Sequence, residues 1–383
     1  MKGGAPVSSV TIRNFKAIRD SGRLDFGWLT VFIGSNGSGK SSAIEALETV
    51  KRLALGDLDR AMISFRGFEH VHYKGLKRDH RSAPGATRIS TGPIGVSVRG
   101  NHLGKGFSAS TEIGLRDGND LYLGREVVRR GTIRTARTAE EERTTYVRGR
   151  EPEVKGIRRE ASILRPSFSD VAEEWQFVRL NVDRMSKPRP IRRSAGRVRL
   201  RPHGTNVAEY LLELARDANA LDCLVDAMKF VLPYARNLKV QILSEIERQA
   251  YLEMAEAEFN VPGWMLSTGT LRVAALLALF FHPTPPRVLL IEELENGLDP
   301  RTIGLIVDVL RSAVLHKRQQ VILTTHSPYL LDLFPLESIV MVDRRDGAST
   351  FWRPNDDAQV RKWKGTFAPG RLYTTGSFSR GKP

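Results

Sequence analysis

Apolar and polar residues alternate from Val10 to Phe15, and a mostly apolar run follows from Leu29 to Ile33; both read as strands. The apolar spacing turns helical from about Lys40 to Leu53, so the chain opens as strand, glycine-rich loop and helix. Short alternating runs, Ile94 to Arg99 and Ser108 to Leu115, then predict an antiparallel lobe with glycine- and arginine-rich loops. Between Asn206 and Leu232 the positions Tyr210, Leu211, Leu214, Leu221, Leu224, Val225 and Met228 follow helical spacing. They predict one or two amphipathic helices, with Cys223 in their core face. Arg236 to Ala257 reads as a hairpin, and a helix begins just after Ser267.

The final third alternates strand and helix: strand Val288 to Ile291, helix Thr302 to His316, strand Gln320 to Thr324, a short helix after His326, strand Ser338 to Val342. That order predicts an α/β fold with a mixed, largely parallel sheet covered by helices. An antiparallel β lobe and an inserted helical lobe complete it. The expected division is a core of residues 1–58 and 262–345, a β lobe or insertion over 59–165, a helical lobe with a hairpin over 166–261, and a basic tail over 346–383. No internal repeat or sustained heptad interrupts this reading.

Composition narrows the classes. With 383 residues and 41% hydrophobic content the chain has the make-up of a soluble globular protein. Its one cysteine cannot form an internal disulfide, no segment reads as a signal peptide, and the longest apolar candidate, Val273 to Phe281, is too short to span a bilayer. A cytoplasmic location without membrane attachment is the expectation. The net charge of +16 changes the picture more, because it points to polyanionic partners such as nucleic acid. Residues 124–201 hold 21 Lys or Arg against 11 Asp or Glu. Arg184, Lys187, Arg189, Arg192 and Arg193 are the candidate contacts, with a second basic stretch from Arg361 to Lys382.

The sharpest chemical signal is Gly34-Ser35-Asn36-Gly37-Ser38-Gly39-Lys40-Ser41, a G-x-x-x-x-G-K-[ST] loop between a strand and a helix. Glycines let the backbone curl so that N–H groups point at phosphate oxygens, and the helix start adds a favourable dipole. Lys40 reaches the β- and γ-phosphates of ATP, Ser41 offers a hydroxyl to Mg²⁺, and Ser42 closes the nucleotide-binding run. A second signal lies about 250 residues later, where the strand Arg287-Val-Leu-Leu-Ile ends in Glu292 and Glu293. Two acids there divide the work: Glu292 as metal ligand, Glu293 as the group that orients or deprotonates water. His70 and His72 have no second ligand pair nearby and do not read as a metal site.

From the acidic strand end onward the sequence resembles the ABC-type ATPase heads of the SMC, RecF and OLD group. Leu266-Ser267-Thr-Gly269-Thr270 is similar to that group's signature motif, Asn296-Gly-Leu-Asp299 to its D-loop, and Thr324-Thr-His326-Ser-Pro328 to its switch-histidine loop. Ile12-Arg-Asn-Phe-Lys16 resembles the stretch flanking the nucleotide, with Lys16 on the base side. Gln176 is the candidate for the Q-loop metal ligand. The usual Asp-Glu is Glu292-Glu293 here, a change common in the OLD-like branch, and Thr268, Thr270 and Leu294 also depart from the pattern. The resemblance covers about 1–56 and 262–345.

It implies an ATPase that dimerises, or assembles as dimers, around ATP. In such a dimer Ser267 and Gly269 of one copy face the γ-phosphate on the other, while His326 senses that phosphate and takes part in hydrolysis with Glu293 and Lys40. The expected function is control of a separate effector, a nuclease or toxin, in a prokaryotic antiphage system; the alternative is a RecF- or SMC-like DNA repair ATPase. A transporter subunit fits poorly, because the signature follows Lys40 by 227 residues. A clamp that binds ATP without turning it over stays compatible with Thr268 and Glu292.

Overall fold

The structure, a computed structural model, describes residues 4–77, 88–89, 92–116, 120–137, 162–192, 196–244, 246–316 and 319–378. Much of the basic stretch, including Arg193, and residues 379–383 lie outside the described residues. The chain divides into two units. The first comprises Met1–Trp175, Leu336–Phe367 and Thr375–Pro383; the second comprises Gln176–Pro335 and Ala368–Thr374.

In the first unit two-residue alternation along most of the strands builds a seven-stranded antiparallel sheet. Its order runs Ile133–Arg137, Glu126–Arg130, Lys105–Arg116, Ile94–His102, Val7–Phe15, Ile18–Asp25, and Asp120–Leu123 pairs with Lys105–Arg116. Register aligns the apolar members on one face: Val10 opposes Val98, Val98 opposes Ala109, and Ala109 opposes Val128. All four are buried, each valine contributing about 1.5–3 kcal/mol of hydrophobic stabilisation. The other face carries Arg99 and Arg129, which are exposed. Glu126 points into the core, where its carboxyl accepts hydrogen bonds from Ser162 Oγ (2.6 Å), Thr111 Oγ1 (3.1 Å) and Ile163 N (3.1 Å). Burial pushes its pKa above the ordinary value, more than these donors and Arg137 lower it.

The same unit holds the phosphate-loop strand, Leu29–Ile33, and the helix Lys40–Leu55. The helix packs against Leu164–Glu173 through its buried face, which includes Leu47, Val50 and Leu53. The strand pairs in parallel with Ile339–Arg345, Val31 opposing Ile339 and Ile33 opposing Met341. Ala348–Trp352 then returns antiparallel on Ile339–Arg345, with Phe351 edge-to-face on Phe32 at 6.2 Å. Residues 346–383, expected as a basic tail, therefore supply a strand of the core and the buried Phe378.

In the second unit Val288–Glu292 and Gln320–Thr325 pair in parallel, Val288 opposing Gln320 and Glu292 opposing Thr324. Pro300–Leu315 begins two residues earlier than its apolar pattern suggests, because Asp299 caps it and Pro300 occupies its first turn. The Asn206–Leu232 pattern resolves into two helices, Val207–Leu214 and Ala218–Val231, both packed on Thr268–Phe281. Cys223 corrects the expectation of a core position. It is exposed, because the buried stripe of its helix runs through Ala220, Leu224, Val225 and Met228 on another face. The hairpin is present as Asn237–Ser244 with Gln249–Ala255. Among the described residues no helix is long and apolar enough to cross a membrane.

Candidate nucleotide site

The phosphate loop is anchored beneath and open above. Gly37 and Gly39 take positive φ, +74° and +112°, which only glycine adopts without strain at such angles. Gly39 caps the helix Lys40–Leu55 and offers no side chain to its first turn. The first turn therefore receives no side-chain acceptor from its cap residue, and an anion suits such a helix start. Ser35, Asn36, Gly37 and Ser41 are exposed, whereas Ser38, Gly39, Lys40 and Ser42 are buried. The Ser38 hydroxyl is shielded from solvent and has no hydrogen-bond partner.

Lys40 has folded inward, its Nζ donating to Gly34 O (2.7 Å) and Ser35 O (2.9 Å). This holds the loop in shape and keeps the cation beside the positions where phosphates would sit. Support from below comes from far along the chain. Ser349 Oγ donates to Ser38 O (2.6 Å), and Ser349 N donates to Ala17 O (2.8 Å). A Cβ on Gly34 would stand 2.0 Å from Val342 O, and one on Gly39 would stand 2.1 Å from Ser349 Oγ. Gly39→Ala combines that clash with a forced left-handed backbone. It is expected to cost about 2 kcal/mol or more and to abolish nucleotide binding, as thermal unfolding with and without ATP would show.

Lys16 lies in the same unit, at φ +49°. Its ammonium pairs with Glu45 on the loop's own helix (2.6 Å) and sits 5.2 Å from the centre of the Phe65 ring. Lys16 thus braces the helix, and it can meet a base only by giving up Glu45.

The second unit gathers the acids and the histidine. Because Glu292 opposes Thr324 in parallel register, both strands end at one level, and Glu293 and His326 project from that end. Glu293 has φ +50°, a left-handed conformation that costs a non-glycine residue of order 1–3 kcal/mol. It is pinned there by its N–H, which donates to Thr324 O and Thr324 Oγ1, each at 3.1 Å. Asn296 Nδ2 approaches the Glu293 carboxylate at 3.5 Å. Arg272 is close enough for the Glu293 charge to raise its pKa, although burial lowers it by more. The Arg272 guanidinium is held by Leu180 O at 3.0 Å.

Glu295, not read from the sequence, organises the histidine loop. Its buried Oε1 accepts from Thr325 Oγ1 (2.7 Å) and His326 N (2.9 Å) and lies 3.4 Å from His326 Nδ1. That fixes one edge of the ring, while the imidazole as a whole stays half-exposed. Arg179 was also not read from the sequence: its Nε donates to Glu292 Oε1 in a partly buried ion pair. The carboxylate expected to bind metal is thus already matched by a cation. Sequence signals for both existed only in hindsight of place, since Glu295 ends the acidic run Glu292-Glu293-Leu294-Glu295 and Arg179 follows the strand Trp175–Val178.

The remaining motif residues have local partners. Ser267 caps the helix Thr268–Phe281, its Oγ accepting from Thr270 N (3.1 Å) and pairing with Thr270 Oγ1 (2.8 Å). Gly269 faces Gly297 closely enough that a Cβ would stand 3.3 Å from Gly297 O, so the signature and D-loop segments touch. Asp299 accepts from Arg301 N (2.9 Å), Thr302 N (3.1 Å) and Thr302 Oγ1 (2.5 Å), and the Thr302 hydroxyl above all lowers its pKa. Gln176 is buried with its amide nitrogen donating to Leu200 O and Phe177 O, which ties its strand to the neighbouring loop. Trp175 is core.

Comparison with known proteins follows this geometry. Residues 29–332, about four fifths of the chain, match the family described as AAA domain, putative AbiEii toxin, Type IV TA system. The chain belongs to this family. It contains a P-loop AAA-type ATPase domain, and the matched span runs from the phosphate-loop strand through the short helix that follows His326. No curated protein matches it.

Solved structures similar to this AAA domain include an Smc head bound to the C-terminal winged-helix domain of ScpA, at 16% identity and TM-score 0.56, covering 90% of this chain and 96% of that one. An Smc head with an extended coiled coil, bound to the C-terminal domain of ScpA and derived from Pyrococcus furiosus, gives 14% identity and TM-score 0.55 over 94% and 99%. An Smc head with coiled coil and joint from Pyrococcus yayanosii gives 12% and 0.52 over 91% and 96%. At these identities the likeness establishes the fold: an α/β head of the SMC and ABC type, with a mixed, largely parallel sheet and additional antiparallel sheets.

Proposed function

We propose that this AAA domain binds and hydrolyses ATP, closes into a dimer while ATP is bound, and by that cycle controls a separate effector, a nuclease or toxin, in an antiphage system of the OLD-like kind. The observation that carries the reading is the uncapped start of the Lys40–Leu55 helix behind a glycine loop, a site built for phosphate and for little else. The family's description, with its toxin and toxin–antitoxin terms, supports the defence role.

In this proposal the loop amides from Gly34 to Ser42 and Lys40 hold the triphosphate. Ser41, exposed in the first helical turn, would hold Mg²⁺, which would supply charge to offset that of the β- and γ-phosphates. Glu292, paired with Arg179 here, would be a further ligand for that ion, and Gln176 stays a structural tie. Glu293 orients the attacking water and accepts its proton, and His326, steadied by Glu295, senses the γ-phosphate. Ser267 and Gly269 of a second copy complete the cage, with Asp299 shaping the adjoining segment. Mass measured by light scattering tests the reading: about a doubling on adding ATP and Mg²⁺ is expected, reversed as ATP is consumed. A protein that takes up no adenine nucleotide at millimolar concentration would overturn it.

A further inference from the structure

The solvent face of the seven-stranded sheet forms a trough of about 710 Å³ whose charged lining is one-sided: Arg13, Arg99, Arg125, Arg129 and Arg134 against Glu112. Register puts three of these in one row across the strands. Arg134 opposes Arg129, Arg129 opposes Ser108, and Ser108 opposes Arg99. At about 4.8 Å per strand the row spans roughly 14 Å. Its neighbour row is small and hydroxylic, with Ser97 opposite Ser110 and Thr11 opposite Ser97.

Such a row is unfavourable for the folded sheet on its own. Like charges directly opposed across a ladder destabilise it, and Arg129 faces Arg134 in that way. Arg13 is answered by Asp20 at 3.2 Å. Among the described residues, Arg99, Arg129 and Arg134 have no carboxylate in ion-pair range, and Arg134 Nε is shielded from water without any hydrogen-bond partner. Three guanidinium groups therefore line a concave, hydroxyl-floored surface with a charge pattern that an extended polyanion would satisfy.

We infer that this trough binds the phosphodiester backbone of nucleic acid. The row is long for one phosphate, and forked guanidinium donors match phosphate oxygens in pairs. The lining has no aromatic side chain, so bases have nothing to stack on, and binding follows the backbone without sequence preference. An acidic protein segment fits less well, because Val96 and Ala109 turn their side chains into the core, leaving the short Val127 as the apolar side chain of the lining, and the trough gives no anchor pocket. The site is separate in chemistry from the nucleotide loop and does not depend on the ATPase reading.

The test uses the full chain without ATP and follows fluorescence anisotropy of labelled dT20, and of a 20-bp duplex, at several KCl concentrations. Salt-sensitive binding of either form is expected, and the form bound more tightly identifies the source. Arg99→Gln/Arg129→Gln/Arg134→Gln should weaken dT20 binding about tenfold or more and flatten the logarithmic salt dependence by about 2, near 0.7 per lost phosphate contact. Its melting temperature should be equal to or above that of the parent, since opposed charges are removed. Arg129→Gln alone should flatten the slope by about 0.7, which keeps the inference testable if the triple variant misfolds. The inference is overturned if neither nucleic acid binds at 50 mM KCl or if the triple variant binds as the parent does. It is equally overturned if Arg184→Gln/Lys187→Gln removes the binding instead, or if poly-L-glutamate displaces dT20 at equal charge concentration.

Discussion

Lys40→Ala is expected to weaken ATP binding about 100-fold, with the fold intact. The ammonium would make charge-assisted contacts worth roughly 1.5–3 kcal/mol with the terminal phosphates, and alanine supplies none. The structure adds a second loss. Nζ also bridges Gly34 O and Ser35 O, so its removal slackens the loop whose amides do the rest of the binding. Titration with a fluorescent ATP analogue checks the affinity, and circular dichroism checks the fold. An unchanged affinity would mean that the helix start alone carries the phosphates.

Glu293→Gln is expected to cut turnover by about 10²–10⁴ while leaving ATP affinity near that of the parent. The amide keeps the shape and the approach of Asn296 but cannot take a proton from water. The backbone restraint survives, because the donors to Thr324 belong to the main chain. The bound form should therefore accumulate as a long-lived dimer, read as phosphate release near background together with a doubled mass in ATP. Normal hydrolysis by this variant would move the base elsewhere and leave Glu293 as a strained structural residue.

The features legible in the sequence are those with local causes. Leu29–Ile33 is found to the residue, because a mostly apolar run that stops at a glycine-rich loop admits few alternatives. The helix after Ser267 is legible from its cap, and the Asp299-Pro300 pair would have placed the next helix start correctly had the cap rule outweighed the apolar pattern. Ile18–Asp25 escapes notice because a strand reading Ile-Arg-Asp-Ser-Gly-Arg-Leu-Asp, on the sheet's edge, shows few apolar residues to alternate. The Arg179–Glu292 pair joins residues 113 apart, and no pattern in either neighbourhood signals it. The arginine row is likewise a product of register, dispersed over 36 positions of sequence and assembled only when three strands and a fourth align.

Ser349 has a consequence for when the protein becomes competent. Its hydroxyl meets Ser38 across a separation of 311 residues, and the strand it belongs to backs the one that carries Val342 against Gly34. A polypeptide made only as far as residue 340 would thus carry its fingerprint for phosphate without the platform that lies under it. Triphosphate capture accordingly depends on a strand remote in sequence as much as on the glycine turn itself.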